Sequence, residues 1–284
     1  MDAWRITLLG AIAGVTIFLG LPFGRVRNPS PGLRAFLNGT AIGILLFLLW
    51  DMLVHALEPV ERALTDAALD QSAGWDRFVG LALTVTVGIS MGLMSLVYYG
   101  RWMAGRRTPS RSFGPGAADI QEITRARPPS AVDSGRRLAV MIAVGIGLHN
   151  FAEGLAIGQS AAGGEISLAV LLIVGFGLHN ATEGFGIVAP LPGGRNRPGW
   201  GFLILLGVIG GGPTFVGALA GQWVVSDVLA AAFLALAAGS ILYVVIQLLG
   251  VADRLGRREL LCWALLLGLF LGIATDFVTV AAGA

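Results

Sequence analysis

The chain of 284 residues has no lysine, one cysteine and three histidines, and only 13% of it is charged. A soluble domain carries about 25% charged residues. This shortage excludes a soluble globular enzyme, a disordered chain and a nucleic-acid binder. The lone Cys262 excludes a disulfide framework and a cysteine-based metal site. What the sequence has in excess is apolar: 55% hydrophobic residues, 42 glycines and a mean hydropathy of +0.79. That composition defines an all-α integral membrane protein built almost wholly from spanning helices. Many glycines suit close packing of such helices.

Eight apolar stretches follow one another, at 4–24, 34–57, 76–103, 137–160, 166–190, 199–222, 227–250 and 260–282. A hydrocarbon core about 30 Å thick needs about 20 helical residues, and each stretch reaches that length. The runs are continuous rather than alternating, which excludes barrel strands. The first begins after Met1-Asp2 and ends before Arg25 and Arg27, so it reads as a span and not as a signal peptide.

The arginines orient the bundle. Sixteen of the 19 lie in the loops after the first, third, fifth and seventh stretches. The loops after the second, fourth and sixth carry Glu58, Glu61, Asp66, Asp70, Asp76, Glu165 and Asp227, against Arg62 and Arg77 only. Arginine stays on the cytoplasmic side. Both termini are therefore expected outside, and the long loop at 104–135 in the cytoplasm. Its Pro, Gly, Ser and Arg content reads as a flexible linker within one transmembrane domain, 1–284.

The sequence also repeats itself. VGIGLHNFAEGLAIG at 144–158 matches VGFGLHNATEGFGIV at 174–188 in nine of 15 positions. A weaker likeness lays 41–51 on 237–247, pairing Gly43 with Gly239, Phe47 with Tyr243 and Asp51 with Gln247. The first, second and third helices and the sixth, seventh and eighth are thus expected to be inverted halves around the fourth and fifth, a plan common among secondary transporters.

The strong repeat carries the polar chemistry. His149 and Glu153 share one helical face at i,i+4, with Asn150 beside it; His179, Asn180 and Glu183 repeat the pattern. Each triplet begins about 13 residues into its helix, roughly 20 Å deep and near the bilayer centre. An ionised carboxylate there costs several kcal/mol, and two of them repel. A divalent cation removes both problems. Imidazole with carboxylate suits Zn²⁺, Fe²⁺, Mn²⁺ and similar ions. Cross-helix hydrogen bonding alone accounts poorly for six polar residues in duplicate.

HNFAEG at 149–154 and HNATEG at 179–184 resemble the paired metal-binding motifs of the ZIP (Zrt/Irt-like) metal transporters, most closely their bacterial GufA-type branch. The resemblance implies divalent metal transport toward the cytoplasm through the bacterial inner membrane, by a multi-pass protein that is not an enzyme. It implies a main metal held by His149, Glu153, His179 and Glu183. Asn150 and Asn180, with the two glutamates, belong to an adjacent second site. It also suggests a homodimer. The chain departs from the family pattern at Ala152 and Thr182, where proline is common. Gly212 in GGGPTF and Gln247 stand where relatives carry acids, which favours one metal over two.

Asp51, His55 and Glu58 are spaced i, i+4, i+7 near the outer end of the second helix. They are either a metal-capturing entrance or a solvated helix end. Tyr98, Tyr99, Trp75, Trp200, Trp223 and Trp263 read as interfacial belt residues, and Cys262, Met91 and Met94 as packing. The partners implied are divalent metal ions, with Zn²⁺ first, and the lipid bilayer; no prosthetic group and no nucleic acid are implied. Two other readings use the same site: an intramembrane metal-dependent hydrolase, and a metal sensor that does not transport.

Overall fold

In the computed structural model the described residues are 3–27, 29–69, 74–105, 131–162, 177, 179–191, 196–223 and 226–281. They contain helices and no strand. Helix α1 spans Ala3–Val15 and continues through two 3₁₀ segments, Thr16–Leu19 and Leu21–Arg25. Then come α2 (Pro31–Leu69), α3 (Trp75–Gly105) and α4 (Ala131–Ala162). Helix α5 is described over 179–188. It is followed by α6 (Trp200–Gly221), α7 (Asp227–Leu255) and α8 (Arg258–Ala281).

Six of these helices, α2, α3, α4, α6, α7 and α8, are long and apolar enough to cross a membrane. Gly10–Arg25 is a shorter apolar helix at the first expected span. Residues 166–176 and 178 of the fifth expected span lie outside the described residues, as does 106–130 of the expected cytoplasmic loop.

Three boundaries differ from the sequence expectation. The first stretch tightens to 3₁₀ geometry where Thr16, Gly20, Pro22 and Gly24 interrupt good helix formers. Helix α2 runs on to Leu69, so Glu58, Glu61, Arg62 and Asp66 are helical rather than loop residues. The sequence from Val60 to Leu69 is rich in Ala, Leu, Glu and Arg, all strong helix formers. An Arg62–Glu58 ion pair of 2.9 Å spans one turn of this extension. Helix α4 begins at Ala131, inside the expected 104–135 loop, with Asp133 in its first turn, where an acid complements the helix dipole.

Packing follows from small residues. In lipid, helices associate by close van der Waals contact rather than by a hydrophobic drive. A methyl at Gly43 of α2 would strike the Leu265 carbonyl and Gly268 of α8. A methyl at Gly239 of α7 would strike the Ile89 carbonyl and Leu93 of α3. Gly14 of α1 and Gly211 of α6 face each other in the same way. Helix α2 packs on α8 and α7 on α3, each pair through a glycine, and α1 packs on α6. That is the pattern the inverted halves require, and it uses the very glycines, Gly43 and Gly239, that the weak sequence likeness paired. Between the halves sits a core containing Ile17, Ile42, Leu45, Ile146, Leu206 and Ile241, all at 0% exposure. Gly256 closes α7 at φ 64°, a left-handed conformation that glycine adopts without strain, and turns the chain straight into α8.

Trp75, Trp200, Trp223, Trp263, Tyr98 and Tyr99 are exposed, as a belt requires. Cys262, Met91 and Met94 are exposed too, on outward faces of α8 and α3 and not in the core. Periodicity could not separate a lipid-facing methionine from a buried one, because both environments are apolar.

Candidate metal site

Helix α4 carries His149, Asn150 and Glu153, and α5 carries His179, Asn180 and Glu183. The structure brings all six together, each no more than 8% exposed. The i,i+4 spacing places His149 Nε2 2.9 Å from Glu153 Oε1 on the same helix. His179 Nε2 reaches across from α5 to lie 2.5 Å from the same oxygen. Ligand atoms of His149, Glu153 and His179 all lie within 4.8 Å of one another. Glu183 flanks this trio, with Oε1 3.6 Å from His149 Nε2. The two imidazole rings are 6.2 Å apart.

The hydrogen bonding is incomplete in a telling way. His149 Nδ1, Glu153 Oε2 and both oxygens of Glu183 lack a hydrogen-bond partner although buried, and the 2.9 Å approach of His149 Nε2 to Glu153 Oε1 is a close ion-pair contact without hydrogen-bonding geometry. Buried polar atoms are normally satisfied. Lone pairs left facing one another in a dry interior make a donor set for a cation: two imidazole nitrogens and two carboxylates, with a combined charge that matches a dication.

The two asparagines are held differently. Asn150 Nδ2 donates to the Gly210 carbonyl of α6 at 3.0 Å. Asn180 Nδ2 donates to the Ala13 carbonyl of α1 at 3.2 Å. Each amide group therefore ties the α4/α5 pair to one of the flanking helices, and each Oδ1 is left buried without a partner. The Asn150 carboxamide also lies beside the Glu183 carboxylate, outside hydrogen-bonding geometry.

Close backbone approach makes this possible. A methyl at Gly154 would run into the Thr214 carbonyl of α6, and one at Gly184 into the Ile17 carbonyl. These glycines sit directly after the motif glutamates, so each motif seats its own helix against α6 or the α1 region.

The residues near the outer end of α2 are arranged otherwise. His55 Nδ1 lies 3.4 Å from Asp51 Oδ1, and the His55 side chain is 59% exposed. Glu58 is paired with Arg62 and 58% exposed. Asp51, at 28%, is the least exposed of the three. Among the described residues, these three are not part of the buried cluster of His149, Glu153 and His179. Gly212 brings no side chain; a Cβ there would meet only Val208 at 3.9 Å.

One polar residue at the centre escaped the sequence reading. Thr214 of α6 is fully buried and its hydroxyl has no partner. The available signal was its position directly after Pro213 in GGGPTF.

Membrane-length helices enclosing a buried imidazole–carboxylate centre define a multi-pass membrane protein. The family model described as ZIP Zinc transporter matches residues 121–278, more than half of the sequence, and the chain belongs to that family. Two curated relatives, both named zinc transporter ZupT and both from Salmonella paratyphi A, one of strain ATCC 9150 / SARB42, are 28% identical to it over 150 residues. The matched part is 52% of this chain and 47% of each relative. The chain thus spans about half the length of the relatives it matches. The family match covers α4 to α8 and leaves Asp51, His55 and Glu58 outside it.

Proposed function

We propose that this protein carries a divalent transition metal, with Zn²⁺ as the first candidate, across the plasma membrane toward the cytoplasm. The cargo rests between α4 and α5 on His149, Glu153, His179 and Glu183, with access alternating between the two sides. The observation that carries this reading is the buried trio of His149, Glu153 and His179, whose ligand atoms lie within 4.8 Å of one another. Membership in a family described as zinc transporters supports it, as do the two ZupT relatives. The chemistry supports it too. A soft Cu(I) site would use thiolate or thioether donors, whereas imidazole with carboxylate suits Zn²⁺, Mn²⁺ and Fe²⁺.

Cargo moves only if the site can release it. Two carboxylates balance one dication, so the loaded centre is neutral and tolerates burial between the gates. Departure of the metal leaves two buried charges, which favours prompt reloading or protonation. The paired repeats on either side of α4 and α5 supply a rocking frame of the kind used by secondary transporters. The arginine distribution supports outside termini and a cytoplasmic 104–135 segment.

The test is metal uptake by purified protein in sealed proteoliposomes, followed with an internal metal indicator. Zn²⁺ accumulation that saturates and disappears in Glu153→Ala is the expected result. Tight metal binding without any accumulation would replace transport by sensing. Metal-dependent cleavage of a peptide or lipid without accumulation would replace it by hydrolysis.

A further inference from the structure

Beyond Glu183 the chain of α5 carries on toward the side that the arginines mark as cytoplasmic. At about 1.5 Å per residue, Ala189 lies roughly 9 Å further along that direction. There α2 and α7 close on α5. A Cβ at Gly186 would lie 3.4 Å from Leu248 of α7 and 3.7 Å from Ala41 of α2. Asn38 Nδ2 of α2 donates to the same Leu248, at its carbonyl, at 3.0 Å.

Next to this contact, α2, α5 and the 3₁₀ segment before α2 enclose a cavity of about 40 Å³. Its lining includes Phe23, Leu33, Leu37, Asn38, Phe185 and Val188. Asn38 is 1% exposed, and its Oδ1 has no hydrogen-bond partner. One turn before Asn38 on α2, Arg34 borders the same cavity.

Arg34 is the informative member. Its Nη2 donates to the Ala189 carbonyl at 3.1 Å and to the Leu191 carbonyl at 3.2 Å. Two carbonyl oxygens just past the end of α5 thus converge on one point, and a positive nitrogen occupies it. The C-terminal end of a helix carries partial negative charge, so a cation arriving along α5 is drawn there. The guanidinium is a cation already in place, tethered to α2. Topology alone asks for an arginine on this side of the membrane. It does not ask for one bonded to the end of the helix that carries the cargo ligands. Arg25 makes a comparable contact outside the cavity wall. Its Nη1 donates to the Pro198 carbonyl at 2.7 Å, and its guanidinium lies over Trp200.

We infer that Arg34 is the cytoplasmic gate of the metal path, a tethered cation that holds the end of α5 and bars a second cation from it. The inference rests on the proposed transport function. While the guanidinium bridges α2 to Ala189 and Leu191, its bonds keep the two helices together. Its charge repels any cation in the cavity, and such repulsion is strong in a partly dry passage. Cargo and guanidinium therefore cannot share the point. Release requires Arg34 to swing away, which frees the two carbonyls to receive the departing ion.

The experiment is thiol labelling of the full chain carrying Val188→Cys and Cys262→Ser, in inside-out membrane vesicles. Two membrane-impermeant methanethiosulfonates are compared, one cationic and one anionic, each relative to its rate with a free thiol. With Arg34 in place, the anionic reagent is expected to react faster. Arg34→Gln is expected to raise the cationic-to-anionic rate ratio about ten-fold or more. Arg34→Lys, which keeps the charge, is expected to restore the low ratio. Arg25→Gln removes an arginine–carbonyl contact outside the cavity and is expected to leave the ratio unchanged. Equal rates for the two reagents with Arg34 present overturn the inference, and need no variant at that position. A ratio unmoved by Arg34→Gln, or moved as far by Arg25→Gln, overturns it as well. Zn²⁺ flux of the otherwise unaltered chain is measured in proteoliposomes beside the labelling. Charge-dependent labelling in a protein that moves no Zn²⁺ would count against the transport reading and for the gate.

Discussion

His179 Nε2 of α5 stands 2.5 Å from Glu153 Oε1 of α4, while His149 Nε2 approaches that same oxygen to 2.9 Å from its own helix. One carboxylate oxygen is thus shared by two imidazoles from two copies of one motif. Glu183 is offset, at 3.6 Å from His149. The duplicated sequence does not produce a symmetric site: Glu153 is central and Glu183 peripheral.

This asymmetry orders the ligand variants. Glu153→Ala is expected to lower Zn²⁺ affinity more than Glu183→Ala, by about 100-fold or more, because even outer supports of a metal ligand are worth 10- to 100-fold. His179→Ala should fall between them. Equilibrium titration of the purified variants checks the order. Wild-type affinity in both Glu153→Ala and His179→Ala would show that the ion lies elsewhere.

Metal affinity should decline as the solution is acidified. Ligating imidazoles must be neutral and ligating carboxylates ionised, so protons compete with the metal. The affinity measured across pH 5.5 to 8 should rise with pH toward a plateau. A flat profile is the result that neutral-imidazole ligation does not allow.

The face formed by Asp51, His55 and Glu58 is expected to gather metal without holding it. Neutralising all three, with Asp51→Asn, His55→Ala and Glu58→Gln, should reduce uptake at low metal and low salt several-fold. High salt should erase most of that difference, since the Debye length is about 10 Å at 0.1 M. Saturated uptake should be largely kept. Its complete loss would make these residues an obligatory binding step.

The inverted halves give a stability test. Gly43→Val and Gly239→Val each push a side chain into a neighbouring carbonyl, Leu265 in one half and Ile89 in the other. Each should destabilise the protein by roughly 1–3 kcal/mol, the usual result of overpacking. Thermal unfolding in detergent would show comparable falls in Tm. A large fall for one variant with none for the other would mean that the two contacts are not equivalent.

Much of this arrangement could be read from the residues. The helical class followed from unbroken apolar runs, and the six central polar residues from a repeat too costly to be decorative. Even the weak pairing of Gly43 with Gly239 pointed at equivalent helix contacts. What could not be read was set by neighbours. Glu58, Glu61 and Asp66 looked like loop residues because charge ends a membrane span, yet it does not end a helix, and α2 continues to Leu69. The unequal roles of Glu153 and Glu183 depend on how α5 is docked against α4, which identical motifs conceal. Asn150 donates to the Gly210 carbonyl of α6, a contact 60 residues distant in sequence. Met91 and Met94 face outward, and their composition alone does not separate lipid from core.

We propose that metal passes through the centre shared by the two motifs. Time-resolved Zn²⁺ uptake into sealed proteoliposomes tests it most directly, with wild type, Glu153→Ala and the Asp51, His55 and Glu58 triple variant reconstituted at equal density. Saturable accumulation is expected in the wild type, none in Glu153→Ala, and in the triple variant accumulation that recovers at high metal. Accumulation in Glu153→Ala at the wild-type rate would contradict it.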